Sequence, residues 1–173
     1  MAEPNGMCLA NATATAAPSL RTVLMKSYDE NGFIFYTKFG SRKSKQMAEN
    51  SQVSLIFPWI SLHRQVIIEG SAEKISTAES MKYFATRPRG SQLGAWSSHQ
   101  SEVLSTRSML EAKMNEIKSK FAHGDIPLPS FWGGYRVKPT RIEFWQGRQH
   151  RLHDRFLFTL TKEKTWKAER LAP

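Results

Sequence analysis

The sequence contains a single cysteine, Cys8, and no long hydrophobic run. One cysteine cannot form a disulfide within the chain, so a disulfide framework is excluded. The first residues lack the basic region of a signal peptide, and the Ala/Thr-rich stretch that follows is too polar and too short to span a membrane. These features predict a cytoplasmic protein without membrane contact.

Acidic residues are few, since 15 Asp and Glu stand against 25 Lys and Arg and give a formal net charge of +10. Such a surface attracts anions, which include nucleic acids, acidic membranes and phosphorylated small molecules. A basic nucleic-acid-binding module is one interpretation, because cations mixed with aromatic rings also suit base stacking. None of the common nucleic-acid-binding motifs is present, and we expect no nucleic-acid partner. Discrete phosphate sites remain open.

Several motifs for catalysis and cofactor binding are also missing. There is no Gly-x-Gly-x-x-Gly sequence and no Walker loop, so a doubly wound nucleotide-binding fold is not indicated. The absence of a Gly-x-Ser-x-Gly elbow disfavours a Ser/His/Asp hydrolase. His150 and His153 lack a third ligand at zinc-like spacing, so we expect no metal site.

The length of 173 residues suits one substantial core, and we expect a single domain over residues 1–173. Runs of β-branched and aromatic residues predict strands, and apolar residues at helical spacing predict helices. The predicted strands are 20–28, 32–37, 53–59, 64–70, 134–137, 141–145, 156–160 and 166–170, and the predicted helices are 42–50, 76–86 and 106–121. This order predicts a mainly β (α+β) protein, an antiparallel barrel with helical insertions.

Gly40, Ser41, Arg42 and Lys43 form the first candidate anion site, because they meet at a predicted helix start. Free backbone N–H groups and the helix dipole favour an anion there. Arg42 adds a bidentate fork, and Lys43 adds a point charge. The alternative is an ordinary solvated helix N-terminus.

Two further groups of residues have the chemistry of a phosphate site. Arg21 and Lys26 flank an apolar strand segment, and their odd spacing places them on opposite faces of a regular strand, where they would serve two different anions. Tyr83 and Arg87 share a helix face, and Ser91 follows them. The alternatives are exposed basic strand ends for the first group, and a core Tyr83 with a helix-capping Arg87 for the second.

Residues 143–155 bring aromatic, cationic and imidazole side chains into a strand and the turn after it. This density of groups that donate, stack and carry charge is typical of a catalytic site. The segment is therefore the strongest catalytic candidate of the chain.

These segments together resemble the pyridoxine/pyridoxamine 5'-phosphate oxidase family, in the family's order and across nearly the whole chain. The motifs that carry the resemblance are residues 21–26, 35–37, 40–43, 64–66, 83–89, 91–96, 98–101, 131–135, 143–147, 151–155 and 170–173. The resemblance implies an FMN-binding split β-barrel and a homodimer with FMN at the interface, in which residues from about 131 to 173 form the dimerisation and substrate-site region. It also implies oxidation of a phosphorylated B6 vitamer to pyridoxal 5'-phosphate, with O₂ as acceptor and H₂O₂ as product.

The resemblance also assigns roles to individual residues. The residues similar to the family's FMN contacts are Arg21, Thr22, Val23, Leu24, Met25, Lys26, Tyr36, Thr37, Arg42, Lys43, Gln65, Gln100, Ser101, Trp145 and Arg155. Those similar to its substrate contacts are Lys26, Tyr83, Arg87, Ser91, Arg151 and His153. Arg151 and His153 match residues over the substrate ring, which implies that they position the substrate and stabilise charge at the oxidised carbon.

One departure from the family concerns the start of the chain. Family members carry several dozen residues before the first strand, including a segment that closes over the substrate, whereas Met1 lies almost on that strand. We therefore expect this chain to lack that lid. The alternative function is an FMN-binding split-barrel protein with little or no oxidase activity.

Overall fold

A computed structural model describes residues 3–98 and 100–173 and shows eight β-strands in this part of the chain. They are β1 (Gly6–Ala12), β2 (Pro18–Asp29), β3 (Gly32–Lys38), β4 (Gln52–Trp59), β5 (Arg64–Lys74), β6 (Trp132–Gln146), β7 (Asp154–Leu160) and β8 (Trp166–Leu171). The order in the sheet is β3-β2-β1-β4-β5-β6-β7-β8, and β3 also pairs with β6. That pairing closes six strands into a barrel, and the predicted antiparallel barrel is confirmed.

Four α-helices lie within the same described residues: α1 (Arg42–Glu49), α2 (Thr77–Thr86), α3 (Arg89–Ser97) and α4 (Arg107–Lys120). Helix α2 begins at a capping box, in which Ser76 Oγ accepts from the Glu79 N–H and the Glu79 carboxylate accepts from the Ser76 N–H. None of the described helices is long and apolar enough to cross a membrane. The predicted helices 42–50, 76–86 and 106–121 are confirmed to within one residue at either end.

The structure corrects the predicted elements in three places. Strand β1 was not predicted, because its buried Met7 and Leu9 alternate with small or polar residues that hide the pattern. Helix α3 was not predicted, because Gly94 lies in its middle and glycine disfavours helix. The separate strands predicted over 134–137 and 141–145 are one continuous strand, β6, which runs through Pro139.

Two glycines allow the barrel strands to approach β6 closely. A Cβ built on Gly70 would lie 2.0 Å from the carbonyl oxygen of Lys138, and one built on Gly32 would lie 2.1 Å from that of Val137. Gly32 also has a φ of +131°, which side-chain-bearing residues rarely adopt. These positions fix the course of β6, whose far end carries the strongest catalytic candidates.

The chain divides into two compact units. The barrel unit comprises Met1–Phe35, Gln46–Glu73 and Arg136–Pro173, and the helical unit comprises Tyr36–Lys45 and Lys74–Tyr135. Met7, Leu9, Leu55, Ile68 and Val137 are fully buried in the barrel unit. The core of the helical unit contains Phe84, Leu93, Ala95, Ile117, Ile126 and Trp132. The single domain over residues 1–173 stays a prediction.

Candidate active site

The predicted site residues fall in both units. The barrel unit carries Arg21, Thr22, Val23, Leu24, Met25, Lys26, Gln65, Trp145, Arg151, His153 and Arg155. The helical unit carries Tyr36, Thr37, Arg42, Lys43, Tyr83, Arg87, Ser91, Gln100 and Ser101. His99, within the motif 98–101, lies outside the described residues.

Five predicted FMN contacts come together around the turn from β3 into α1 in the helical unit. Lys43 Nζ donates to Thr37 Oγ1 at 3.0 Å, and Thr37 Oγ1 donates to Gln100 Oε1 at 3.1 Å. Lys43 is only 8% exposed and Thr37 only 6%. The Arg42 N–H donates to Ser101 Oγ at 3.3 Å, and the side chain of Arg42 is exposed. A buried ammonium group at a helix N-terminus is a favourable place for an anion.

The other face of β3 carries an aromatic stack. Tyr36 lies on Tyr83 with 3.9 Å between ring centroids and 17° between planes, and it also stacks on Trp132 at 5.2 Å. Successive strand residues point to opposite faces, so Tyr36 and Thr37 belong to different clusters. A predicted FMN contact, Tyr36, is thereby placed against a predicted substrate contact, Tyr83.

Arg87 lies beside this stack with one buried nitrogen that has no partner. Its guanidinium carbon is 4.8 Å from the ring centroid of Trp132, and its backbone N–H donates to the Phe84 carbonyl, which caps α2. Among the described residues, Arg87 Nη1 is the buried side-chain atom without a hydrogen bond. Burial lowers the pKa of Arg87 and raises that of Tyr83. A buried donor left unpaired is unfavourable by about 1–3 kcal/mol, so Arg87 Nη1 is a donor that a bound ligand could satisfy.

Ser91 is exposed in the first turn of α3, where its N–H donates to the Pro88 carbonyl at 2.8 Å. The structure thus places Ser91 one helix turn beyond the Arg87 cap. The predicted substrate contact of Ser91 stays a prediction.

Arg21 and Lys26, at the two ends of the predicted 21–26 motif, differ in their surroundings. The Arg21 guanidinium donates to Ser19 Oγ at 2.6 Å and to the Leu9 carbonyl at 3.1 Å, and it also reaches Asn11 Oδ1. Lys26 is exposed, and the β2–β3 register shifts at this position. A bulge redirects side chains locally, so the expectation for a regular strand does not apply at Lys26.

A cavity of about 380 Å³ lies in the barrel unit, and two predicted FMN contacts, Gln65 and Trp145, line it. Phe144 and Phe156 also line it, and they are directly paired across β6 and β7. Its walls therefore combine aromatic faces with an amide group, which is the usual composition of a site for a planar ring system.

His153 is oriented by two neighbours. Its Nδ1 accepts from the Arg148 N–H at 3.1 Å, and its ring centroid lies 4.8 Å from that of Trp145. Because Nδ1 is an acceptor, the neutral imidazole carries its proton on Nε2 and presents an N–H donor there.

Arg151 is exposed and has a φ of +61°, directly after His150 with a φ of +56°. Two consecutive left-handed residues other than glycine are unusual, and such strain clusters at functional sites. Asp154 stabilises the end of this turn by accepting from Arg148 at 2.8 Å and from Arg170 at 2.7 Å. These two hydrogen bonds lower the pKa of Asp154.

Arg155 is engaged on both sides of its guanidinium. Its Nε and Nη2 donate to the two carboxylate oxygens of Glu143 at 2.9 and 3.0 Å, and its Nη1 donates to the Ala172 carbonyl at 3.0 Å. The hydrogen bonds from Arg155 to Glu143 raise the pKa of Arg155. These hydrogen bonds fix the position of the guanidinium group, and the predicted FMN contact of Arg155 stays a prediction.

The sequence interpretation overlooked Lys38 and Trp132. Lys38 is two residues beyond Tyr36 in β3, and this spacing alone places both on one strand face. Trp132 belongs to a quoted motif, but its stacking against Arg87 depends on contacts between distant segments. In the described ranges, no cluster of three His, Cys, Asp or Glu side chains has the spacing of a metal site.

Two protein-family models match the chain. One, described as pyridoxamine 5'-phosphate oxidase, matches residues 1–121, and the other, described as the pyridoxine 5'-phosphate oxidase C-terminal dimerisation region, matches residues 132–173. The chain is 62% identical to the pyridoxine/pyridoxamine 5'-phosphate oxidase of Crocosphaera subtropica, over 100% of this chain and 82% of the relative. It is 57% identical to the pyridoxine/pyridoxamine 5'-phosphate oxidase of Aliarcobacter butzleri, over 100% of this chain and 82% of the relative.

Solved structures show the same fold. PhzG from Burkholderia lata, in complex with tetrahydrophenazine-1-carboxylic acid, matches with a TM-score of 0.93 at 30% identity, over 98% of this chain and 83% of that one. A pyridoxamine 5'-phosphate oxidase-related, FMN-binding protein from Nostoc punctiforme matches with a TM-score of 0.81 at 14% identity. The match covers 98% of this chain and 89% of that one. The second comparison supports the fold alone. The predicted split-barrel fold is confirmed.

Proposed function

This chain belongs to the pyridoxine/pyridoxamine 5'-phosphate oxidase family, and we propose that it oxidises pyridoxine 5'-phosphate or pyridoxamine 5'-phosphate to pyridoxal 5'-phosphate with FMN as its cofactor. The observation that carries the activity is the 62% identity to a family enzyme over the whole of this chain. Both family models together span nearly all residues, so the match is not confined to one motif.

The reaction removes two electrons from the substrate. The alcohol substrate loses a hydride from its 4' carbon and a proton from its hydroxyl group, and O₂ takes up both to give H₂O₂. The amine substrate also consumes one water and releases ammonia. FMN, when bound, supplies the hydride acceptor and the route of the electrons to O₂.

The residues around α1 fit the phosphate of FMN. The buried Lys43 ammonium, the exposed Arg42 guanidinium and the positive end of the α1 helix dipole provide the charge that a phosphate dianion requires. Gln65 and Trp145 line the cavity that suits the flavin ring. The remaining proposed contacts are Arg21, Thr22, Val23, Leu24, Met25, Lys26, Tyr36, Thr37, Gln100, Ser101 and Arg155.

Tyr83, Arg87, Ser91 and Lys26 are proposed to hold the phosphate of the substrate. The buried Nη1 of Arg87 supports this proposal, because a phosphate oxygen would satisfy it. The Tyr83 hydroxyl group is a second donor, and its raised pKa keeps it protonated.

Arg151 and His153 are proposed as the catalytic residues. His153 offers a fixed Nε2–H donor, and the exposed Arg151 offers a permanent positive charge. Their task is to orient the substrate ring and to stabilise charge that develops during oxidation. A rigid orientation of both rings lowers the barrier more than added binding strength alone.

A homodimer is part of the proposal. The C-terminal residues match a family dimerisation region, and this part of the chain exposes the large apolar side chains Phe144, Leu152, Phe156 and Trp166. Exposed apolar surface of this kind is typical of a subunit interface. We infer that each FMN site takes residues from both subunits, with O₂ and the B6 substrate as the other partners. The cytoplasmic location stays a prediction.

Product analysis tests the activity. The purified protein, saturated with FMN, is given pyridoxine 5'-phosphate in air, and pyridoxal 5'-phosphate and H₂O₂ are measured together. The proposal predicts equal amounts of both products. FMN binding without either product would instead support the alternative, a split-barrel flavin-binding protein without oxidase activity.

A further inference from the structure

We propose that Lys38 is a further phosphate-binding residue, which together with Arg87 holds the substrate's phosphate group in the helical unit. The inference rests on the proposed function, since it specifies one more contact of the same substrate.

Lys38 ends β3 on the face that carries the aromatic stack. Tyr36 and Lys38 are two residues apart, so they point to the same side of the strand, whereas Thr37 points to the side of Lys43. The strand thus separates two cationic sites. Lys43 belongs to the site proposed for FMN, and Lys38 belongs to the site of Tyr83 and Arg87.

The ammonium group of Lys38 is buried among neutral groups. Its Nζ donates to the carbonyl oxygen of Ser98 and to Ser98 Oγ at 3.0 Å, and it lies 5.8 Å from the ring centroid of Phe131. Lys38 as a whole is 8% exposed. Within the residues that the structure describes, no carboxylate pairs with Lys38 or with Arg87.

The positive charges of Lys38 and Arg87 act on each other unfavourably. Burial and the charge of Arg87 lower the pKa of Lys38 to about 8, and burial also lowers the pKa of Arg87. The other titratable group that acts on Arg87 is Tyr83. Such a pair is stabilised by an anion that contacts both members, and a phosphate monoester carries about two negative charges at neutral pH.

The unpaired nitrogen of Arg87 is an independent observation for the same conclusion. Nη1 is buried and has no hydrogen-bond acceptor among the described residues, although the guanidinium group stacks well on Trp132. An oxygen of a bound phosphate would accept a hydrogen bond from Arg87 Nη1, and the negative charge of the phosphate would offset the charge of Lys38. A single bound phosphate dianion would therefore account for both the unpaired Arg87 nitrogen and the uncompensated charge of Lys38.

The alternative role of Lys38 is structural, through its hydrogen bonds to Ser98. Removal of a purely structural lysine would lower stability and would leave the pH dependence of ligand binding unchanged. A phosphate-binding lysine with a pKa of about 8 has a different signature. Affinity is then high while Lys38 is protonated, and it falls as the pH rises through that pKa.

The test measures binding rather than turnover. FMN-saturated protein is titrated calorimetrically with 4-deoxypyridoxine 5'-phosphate, which has no oxidisable group at the 4' carbon and no aldehyde, at pH values from about 6.5 to about 9.5. The variants are Lys38→Met, which removes the charge, and Lys38→Arg, which keeps it at every pH used. Lys82→Met is the matched control, because Lys82 is an exposed lysine of α2.

We expect Lys38→Met to weaken binding roughly tenfold or more at neutral pH, as for the loss of one charge-assisted hydrogen bond. The wild-type protein should lose affinity above pH 8, whereas Lys38→Arg should keep it. Dephosphorylated 4-deoxypyridoxine should bind all variants equally, and Lys82→Met should match the wild type.

Equal affinity of Lys38→Met and the wild type, or the same pH dependence in Lys38→Arg and the wild type, would overturn the proposal. If Lys38→Met does not fold, the comparison of Lys38→Arg with the wild type above pH 8 decides alone. Absence of turnover with intact Lys38-dependent binding would refute the oxidase function and leave this site standing. Turnover together with ligand binding that does not depend on Lys38 would refute this site and leave the oxidase function standing.

Discussion

Lys43 and Thr37 face each other across the turn that joins β3 to α1, with Lys43 Nζ 3.0 Å from Thr37 Oγ1. The same hydroxyl group donates to Gln100, so the threonine connects the buried ammonium to a residue 63 positions further along the chain. This arrangement holds the charge of Lys43 at the N-terminus of α1. A phosphate bound there gains charge-assisted hydrogen bonds in a partly desolvated site.

Removal of the Lys43 charge tests that site. Lys43→Met should weaken FMN binding by roughly 1.5–3 kcal/mol, which corresponds to a tenfold to hundredfold rise in the dissociation constant. Quenching of flavin fluorescence on binding measures this constant. Lys45→Met, an exposed lysine of the same helix, is the control and should bind FMN like the wild type. An unchanged constant in Lys43→Met would show that the phosphate binds elsewhere.

Two substitutions of Arg151, which has a left-handed backbone, distinguish the catalytic role of its side chain from its effect on stability. Arg151→Ala and Arg151→Gly both remove the side chain, so both should reduce turnover strongly while FMN stays bound. Glycine adopts a φ of +61° more readily than alanine, so the free energy of unfolding of Arg151→Gly should be about 1 kcal/mol higher than that of Arg151→Ala. Steady-state kinetics and urea denaturation provide the two measurements. Loss of FMN from either variant would contradict the assignment of Arg151 to the substrate.

The close approach of β5 to β6 should make Gly70 intolerant of a side chain. Gly70→Ala should lower the free energy of unfolding by about 3 kcal/mol, because its Cβ would lie 2.0 Å from a backbone oxygen. Gly94→Ala in α3 meets no atom within 4 Å and should raise the free energy of unfolding by up to about 1 kcal/mol. Thermal or urea unfolding measures both. Equal stability of the two variants would refute the described close approach of β5 to β6.

The apolar surface around Phe156 should mediate dimerisation. Phe156→Ser removes an exposed ring that is paired with Phe144, and it should shift the protein from dimer to monomer at micromolar concentration. Sedimentation velocity measures the change. Tyr28→Ser, an exposed aromatic residue of β2 in the same unit, is the matched control and should remain dimeric. A dimer in both variants would place the interface elsewhere.

The sequence predicted the barrel and three of the four described helices, because β-branched runs and helical spacing are local signals. It did not predict β1, whose alternation of Met7 and Leu9 with small residues is weak, or α3, which contains Gly94. The sequence also predicted two separate strands, 134–137 and 141–145, in place of the continuous β6. Strand β6 runs through Pro139, and the backbone of Lys138 and Pro139 lies close to Gly70.

The candidate site was predictable as a set of residues and not as an arrangement. The spacing of Tyr83 and Arg87 indicated a shared helix face, but the stacking of Tyr36 on Tyr83 and of Arg87 on Trp132 joins segments that are far apart in the chain. The engagement of Arg155 by Glu143 depends likewise on the pairing of β6 with β7. Local patterns carry no information on such contacts.

Anaerobic reduction of the bound flavin tests the central claim most directly. The FMN-loaded protein is mixed with pyridoxine 5'-phosphate in the absence of O₂, and its visible absorbance is followed before and after air is admitted. The proposed function predicts that the flavin bands bleach and then return, with pyridoxal 5'-phosphate formed in proportion. Bands that remain unchanged while the substrate binds would contradict it.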